Sequence, residues 1–192
     1  QEVLREEDRA LLLAVDTSLA KTLQPFAGRL CRGATTAREK AARVANYFQS
    51  EYLYSLDPTP VPRNRDPVEY FLATRHPAHC EYFASATAVL LRQVGVPTRY
   101  VTGYVMDELS DNEDYFLARN RDAHAWVEYY DDRSRSWRAV ESTPGRSVQM
   151  LEAGEVQDRL TDSAGGSSDS DDGRQGGWLH SILLGWFHGR AT

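Results

Sequence analysis

Apolar residues return every three or four positions over residues 2–23, at Leu4, Leu11, Leu12, Val15, Leu19 and Leu23, and predict one helix that Pro25 closes. A second stripe of Ala41, Val44, Ala45, Phe48 and Tyr52 predicts a helix over 36–52. Thr35 or Thr36 serves as its N-cap, and Glu39 is spaced for a capping box. Pro58, Pro60, Pro62 and Pro67 mark 57–67 as an ordered or wrapping loop, and 67–73 suits a short helix capped by Asp66. Residues 81–94 (EYFASATAVLLRQV) read as a buried helix, with Gly95 just past its end and Pro97 beyond. The pattern then shortens to strand-like runs at 98–106, 115–119, 123–130 and 136–143, the last two joined by the polar turn 131–135. Helices followed by an antiparallel meander define an α+β class.

Composition adds to this mainly at the far end. Residues 161–177 are rich in Gly, Ser and Asp and cannot bury enough apolar surface to fold, which makes them a flexible linker. The following run, WLHSILLGWF within 178–192, is too short to span a bilayer, so the segment itself is expected to be soluble. It fits the first turns of a truncated transmembrane helix, an interfacial segment or a docking peptide. The expected organisation is a helical lead-in over 1–34, a main domain over 35–160, the linker, and the apolar end. Because the sequence starts at Gln1 with no signal peptide after it, it reads as a segment of a longer protein.

Hydrophobic residues are 41% and charged residues 26% of the 192, an ordinary balance for a chain that buries a core. A net charge of −6 with scattered arginines excludes a nucleic-acid binder as the first expectation. Two cysteines, Cys31 and Cys80, make no disulfide framework.

Cys80 falls at the first turn of the predicted buried helix. A thiolate there faces unpaired N–H groups and the positive end of the helix dipole, which lower its pKa. The same N–H groups can donate to an oxyanion when sulfur attacks a carbonyl. Free cysteines are often simply small buried hydrophobes, and Cys31, in RLCRG, is read that way. A nucleophilic cysteine needs a base that titrates near neutrality, and His124, in DAHAWVE, supplies one on a strand. His79 adjoins Cys80 in sequence, but adjacent side chains on a helix do not face each other.

Three acids compete to orient the imidazole: Asp122, Glu128 and Glu141. Glu128 shares the strand face of His124 but lies about 13 Å along it, too far to reach. Asp122 is two residues away on that face. Glu141 sits on the next strand, directly opposite His124 or one diagonal step away if the turn holds an even number of residues. An odd turn would point it to the other face. Glu141 is the favoured acid.

Three ordered blocks, HCEYFASATAVLLRQVGVPTRYVTGY (79–104), DAHAWVEYY (122–130) and WRAVESTPG (137–145), resemble the transglutaminase-like domain of bacterial proteins. The resemblance implies a papain-like core in which a cysteine at the N-terminus of a buried helix packs on an antiparallel sheet carrying histidine and acid. It implies that Cys80, His124 and Glu141 are catalytic, with Cys80 forming a thioester with a protein or peptide substrate and no cofactor; water as acyl acceptor makes a peptidase or amidase, an amine a transglutaminase. Glu141 stands where the family usually has Asp, and Ala78 where it often has Gly. An upstream aromatic often assists the oxyanion in such enzymes, and Tyr54 is the candidate. Trp126 shares the face of His124 and is a candidate substrate contact, although sheet packing is the simpler role for it and for Trp137. Relatives with this arrangement are often extracytoplasmic domains of bacterial membrane proteins, so a membrane tether is expected.

Three other readings compete with this one. A non-catalytic relative would use the same groove to bind a peptide or glycan, and the Asp-to-Glu departure is its support. The acidic stretch over 107–114 could bind Ca²⁺, but without glycine-turn spacing it reads as a solvated loop. Cys80, His124, His79 and His76 do not fit a compact metal-ligand spacing.

Overall fold

The computed structural model describes residues 3–57, 59–106, 108–110 and 115–145. The stretches expected to be linker and apolar end, 161–177 and 178–192, lie outside the described residues, as do 107 and 111–114 of the acidic stretch. Among the described residues, five α-helices precede the strands: α1 Glu6–Leu13, α2 Thr17–Leu30, α3 Ala37–Glu51, α4 Pro67–Thr74 and α5 Cys80–Gln93. Strands β1 Thr98–Tyr104, β2 Glu108–Leu109, β3 Phe116–Leu117, β4 Ala123–Asp131 and β5 Ser136–Val140 follow.

The first expected helix is two. The Asp16 carboxylate accepts from the backbone N–H groups of Ser18 and Leu19 and starts α2 afresh, with Ala14 extended between the two. Pro25 lies inside α2 rather than ending it. Its missing N–H strands the Lys21 carbonyl, and both residues face solvent, where water can take the bond. The other helices start as their sequences dictate. Thr36 and Glu39 form the reciprocal capping box of α3, and Asp66 caps α4 ahead of Pro67. At the end of α5, Gly95 takes φ +77° and donates to Arg92 O, while Val96 donates to Leu91 O. This Schellman geometry closes the helix and frees the chain to turn into β1.

Among the described residues two compact units are distinguished, 3–103 with 124–145, and 104–123. In the first, α2, α3 and α4 pack on α5. Phe48, Phe71 and Phe83 are fully buried and contact one another, with Tyr52 against all three. Burial of such a ring contributes about 1.5–3 kcal/mol. Ala125, Val127 and Tyr129 of β4 join this core, so α5 is sandwiched between helices and sheet.

The expected four-strand meander is corrected. The three-stranded sheet has the order β1-β4-β5, and β3 pairs with β2 in a separate antiparallel ladder, Glu108 opposite Leu117 and Leu109 opposite Phe116. The two-residue β2 carries too little apolar alternation to be read from sequence. β4 and β5 are antiparallel with Val127 opposite Val140 and Asp131 opposite Ser136. The residues between the last pair, 132–135, are even in number, with Arg135 in the left-handed region at φ +51°.

Candidate active site

The even turn decides which acid meets the histidine. Val127 opposite Val140 is the last pair of the ladder, and Glu141, the next residue, falls beside Trp126, one diagonal step from His124. The side chains meet: His124 Nε2 lies 2.5 Å from Glu141 Oε2, and both are buried, at 1% and 5% exposure. Glu141 Oε1 accepts from the Thr143 backbone N–H at 2.7 Å, so each carboxylate oxygen has a donor.

The rival acids are engaged elsewhere. Glu128 pairs with Arg99, whose guanidinium also lies 4.2 Å over the Trp137 ring. Asp122 accepts from the Arg119 backbone N–H at 2.7 Å at the start of a short 3₁₀ turn.

Cys80 is the first residue of α5, and His79, its N-cap, supplies no side-chain hydrogen bond to the turn. The first N–H groups therefore keep their donor capacity, beside the positive helix end. Burial alone would push the Cys80 thiol up. Hydrogen bonds from the His124 side chain and the Ala125 N–H outweigh it and hold the pKa below the ordinary thiol value, against a small opposing push from Glu81. Burial likewise works against the His124 imidazolium, yet its bonds to Cys80 and Glu141 push its pKa up to about 9. Since Nε2 is held by Glu141, Nδ1 is the nitrogen left for the sulfur. A thiol shifted down and an imidazole shifted up favour a thiolate–imidazolium pair near neutral pH.

The two flanking candidates are placed differently. Tyr54 forms an isolated parallel bridge with Ala78, Ser55 donating to Ala78 O and Ala78 to Leu53 O. This pins a 37%-exposed tyrosine beside the segment that enters α5 two residues before Cys80. Trp126 is buried and stacks on His124, ring centroids 6.3 Å apart at 16°. A Cβ at Gly103 on β1 would meet the indole Cη2 at 2.8 Å, so only glycine leaves the ring its place. His76 and His79 pack against Tyr82 instead of joining the sulfur. Among the described residues no cluster of His, Cys, Asp and Glu is arranged to hold a metal.

Sequence reasoning missed the support behind Glu141. Thr87 of α5 is fully buried and donates to Ser142 Oγ at 2.8 Å, and Gln49 of α3 donates to Glu141 O at 3.1 Å. A threonine on the buried face of an apolar helix was the available signal, since a buried hydroxyl needs a partner.

A sulfur at a helix start, joined to a sheet histidine backed by a carboxylate, is the arrangement of a papain-like thiol site. The chain belongs to the Transglutaminase-like superfamily, matched over residues 24–142. It is 33% identical over 123 residues to the protein-glutamine gamma-glutamyltransferase of Pseudomonas aeruginosa, covering 64% of this chain and 18% of that protein. It is 31% identical over 134 residues to the Bacillus subtilis protein YebA, covering 67% and 18%. The crystal structure of the periplasmic domain of TgpA from Pseudomonas aeruginosa is similar with a TM-score of 0.64 and 28% identity, over 72% of this chain and 48% of that one. The chain thus spans less than a fifth of either curated relative. Among the described residues no helix is long and apolar enough to cross a membrane.

Proposed function

We propose that this chain carries the catalytic centre of a thiol-dependent acyl transferase acting on protein or peptide substrates, with Cys80 as nucleophile, His124 as acid and base, and Glu141 as the group that orients the imidazole. The observation that carries the reading is the continuous line from sulfur through imidazole to a buried carboxylate.

In the first half-reaction the Cys80 thiolate attacks a carboxamide carbon. A C–S bond forms, and the oxyanion is met by the N–H groups at the start of α5. The C–N bond then breaks as His124 delivers its proton to the departing nitrogen, leaving a thioester. In the second, His124 takes a proton from the acceptor, which attacks the thioester and releases the thiolate. Glu141 keeps one imidazole nitrogen occupied throughout and stabilises the imidazolium, without itself taking a proton. The name of the Pseudomonas aeruginosa relative supports a glutamine side chain as acyl donor and a primary amine as acceptor. Tyr54 borders the oxyanion position, and Trp126 shields the His124–Glu141 bond from water. No cofactor or metal enters the scheme, and the acidic charge argues against nucleic acid as a partner. The periplasmic origin of the related TgpA domain supports an extracytoplasmic setting in a membrane-tethered parent.

The test is the rate of iodoacetamide alkylation of each cysteine from pH 5 to 9, mapped by mass spectrometry, on the wild type and on His124→Ala. Cys80 is expected to react fast well below pH 8, and to lose that advantage in His124→Ala. An ordinary profile for wild-type Cys80, rising with a pKa of about 8.5, sinks the catalytic reading. The groove would then be left to binding a peptide or glycan.

A further inference from the structure

Glu141 lies just past the end of β5, where the strand ladder no longer holds the backbone. Its longer side chain also has one more rotatable bond than Asp, and that freedom must be restrained for a carboxylate to stay on one imidazole nitrogen. The restraint comes from α5. Thr87 donates to Ser142 Oγ at 2.8 Å, and Ser142 Oγ in turn donates to Phe83 O at 3.4 Å. Both hydroxyl-bearing residues are buried, Thr87 at 0% and Ser142 at 3% exposure. Thr87 is seven residues from Cys80, close to two helical turns, so the two share one face of α5 about 10.5 Å apart.

One rigid helix therefore carries the sulfur at its first residue and, two turns on, the anchor for the residue next to the acid. We infer that Thr87 and Ser142 are positioning residues of the site: their hydrogen bond ties the Glu141 segment to the Cys80 helix and holds the carboxylate on His124. Gln49 braces the same segment from α3 through Glu141 O. The inference rests on the thiol-transferase reading and deepens it. A role in stability alone would leave the ionisation of the Cys80–His124 pair unchanged when the bond is cut.

The experiment uses the whole 192-residue chain as wild type, Thr87→Val, Thr87→Ser and Ser142→Ala. It follows the His124 ring by NMR titration and Cys80 alkylation across pH 5–9, with circular dichroism and thermal midpoint as controls for folding. Thr87→Val keeps the shape and removes the hydroxyl. The His124 pKa is expected to fall by about one unit, and Cys80 alkylation at pH 6 to slow about tenfold. Ser142→Ala should reproduce the change, and Thr87→Ser should restore the wild-type profile. Thr87→Val and Ser142→Ala proteins that melt earlier but titrate like wild type overturn the inference while leaving the catalytic reading intact. Should Thr87→Val fail to fold, Ser142→Ala decides by the same criterion. If wild-type Cys80 itself titrates as an ordinary thiol, the catalytic reading and this inference fall together.

Discussion

The two cysteines sit at opposite kinds of helix end. Cys31 caps the C-terminus of α2, buried, with its Sγ 3.9 Å from Lys40 O. Cys80 opens α5 and bonds to an imidazole and a backbone N–H. Burial pushes both thiols up; at Cys31 it prevails over Lys40 and Arg43, at Cys80 it does not. Nearby positive charge is thus insufficient to make a thiolate. What separates the two is a directed donor on the sulfur, backed by a carboxylate that keeps the donor charged.

The strongest challenge to this contrast is to remove one sulfur at a time. Cys80→Ala is expected to lower incorporation of a fluorescent primary amine into a glutamine peptide by about 10³-fold or more, while leaving the circular dichroism spectrum unchanged. Residual turnover within tenfold of wild type would place the chemistry elsewhere. Glu141→Gln keeps a side chain of the same size but removes its charge. It should bring the His124 pKa down and slow the same reaction about 10- to 100-fold; an unchanged NMR titration of His124 would count against the carboxylate's role.

The third prediction concerns stability against pH. His124 has a higher pKa folded than its ordinary 6.5, about 9, so its pairing stabilises the fold fully below about 6.5 and loses that contribution as pH rises through about 9. The difference in thermal midpoint between wild type and His124→Ala should therefore shrink from pH 6 to pH 10. A constant difference would mean that packing alone is at stake. The smallest effect on turnover belongs to Cys31→Ser. Its hydroxyl, on a shorter bond than the sulfur, falls short of Lys40 O, so a stability loss of about 1–3 kcal/mol is expected, with amine incorporation unaltered. A tenfold loss of incorporation would erase the contrast between the two thiols.

Local signals made much of this architecture legible. The Thr36–Glu39 box, Asp66 before Pro67, and Gly95 before Pro97 each fix an element boundary by short-range hydrogen bonding or φ, so the structure reproduces them. Turn parity was legible only as a condition: the polar run 131–135 leaves it open, and it is the pairing of Asp131 with Ser136 in the structure that leaves four turn residues and sets Glu141 on the His124 face. Long-range competition was not legible. Leu11 and Leu19 share one helical stripe in sequence, yet Asp16 caps a new helix between them. The Thr87–Ser142 bond joins residues 55 apart in the chain, and the Arg99–Glu128 pair joins residues 29 apart. Neither leaves a periodic trace, since each depends on how α5, β1 and β4 come to lie together.

Gly103 carries a consequence for how this sequence can change. Because a single methyl at that position would press on the Trp126 indole, tolerance to substitution should collapse there, although the next residue on the strand, Tyr104, is 46% exposed. In a saturation library, variants at position 103 are expected to survive only beside a smaller residue at position 126. The two positions then behave as a single hereditary unit, and any redesign that widens the surroundings of the imidazole has to rewrite both at once.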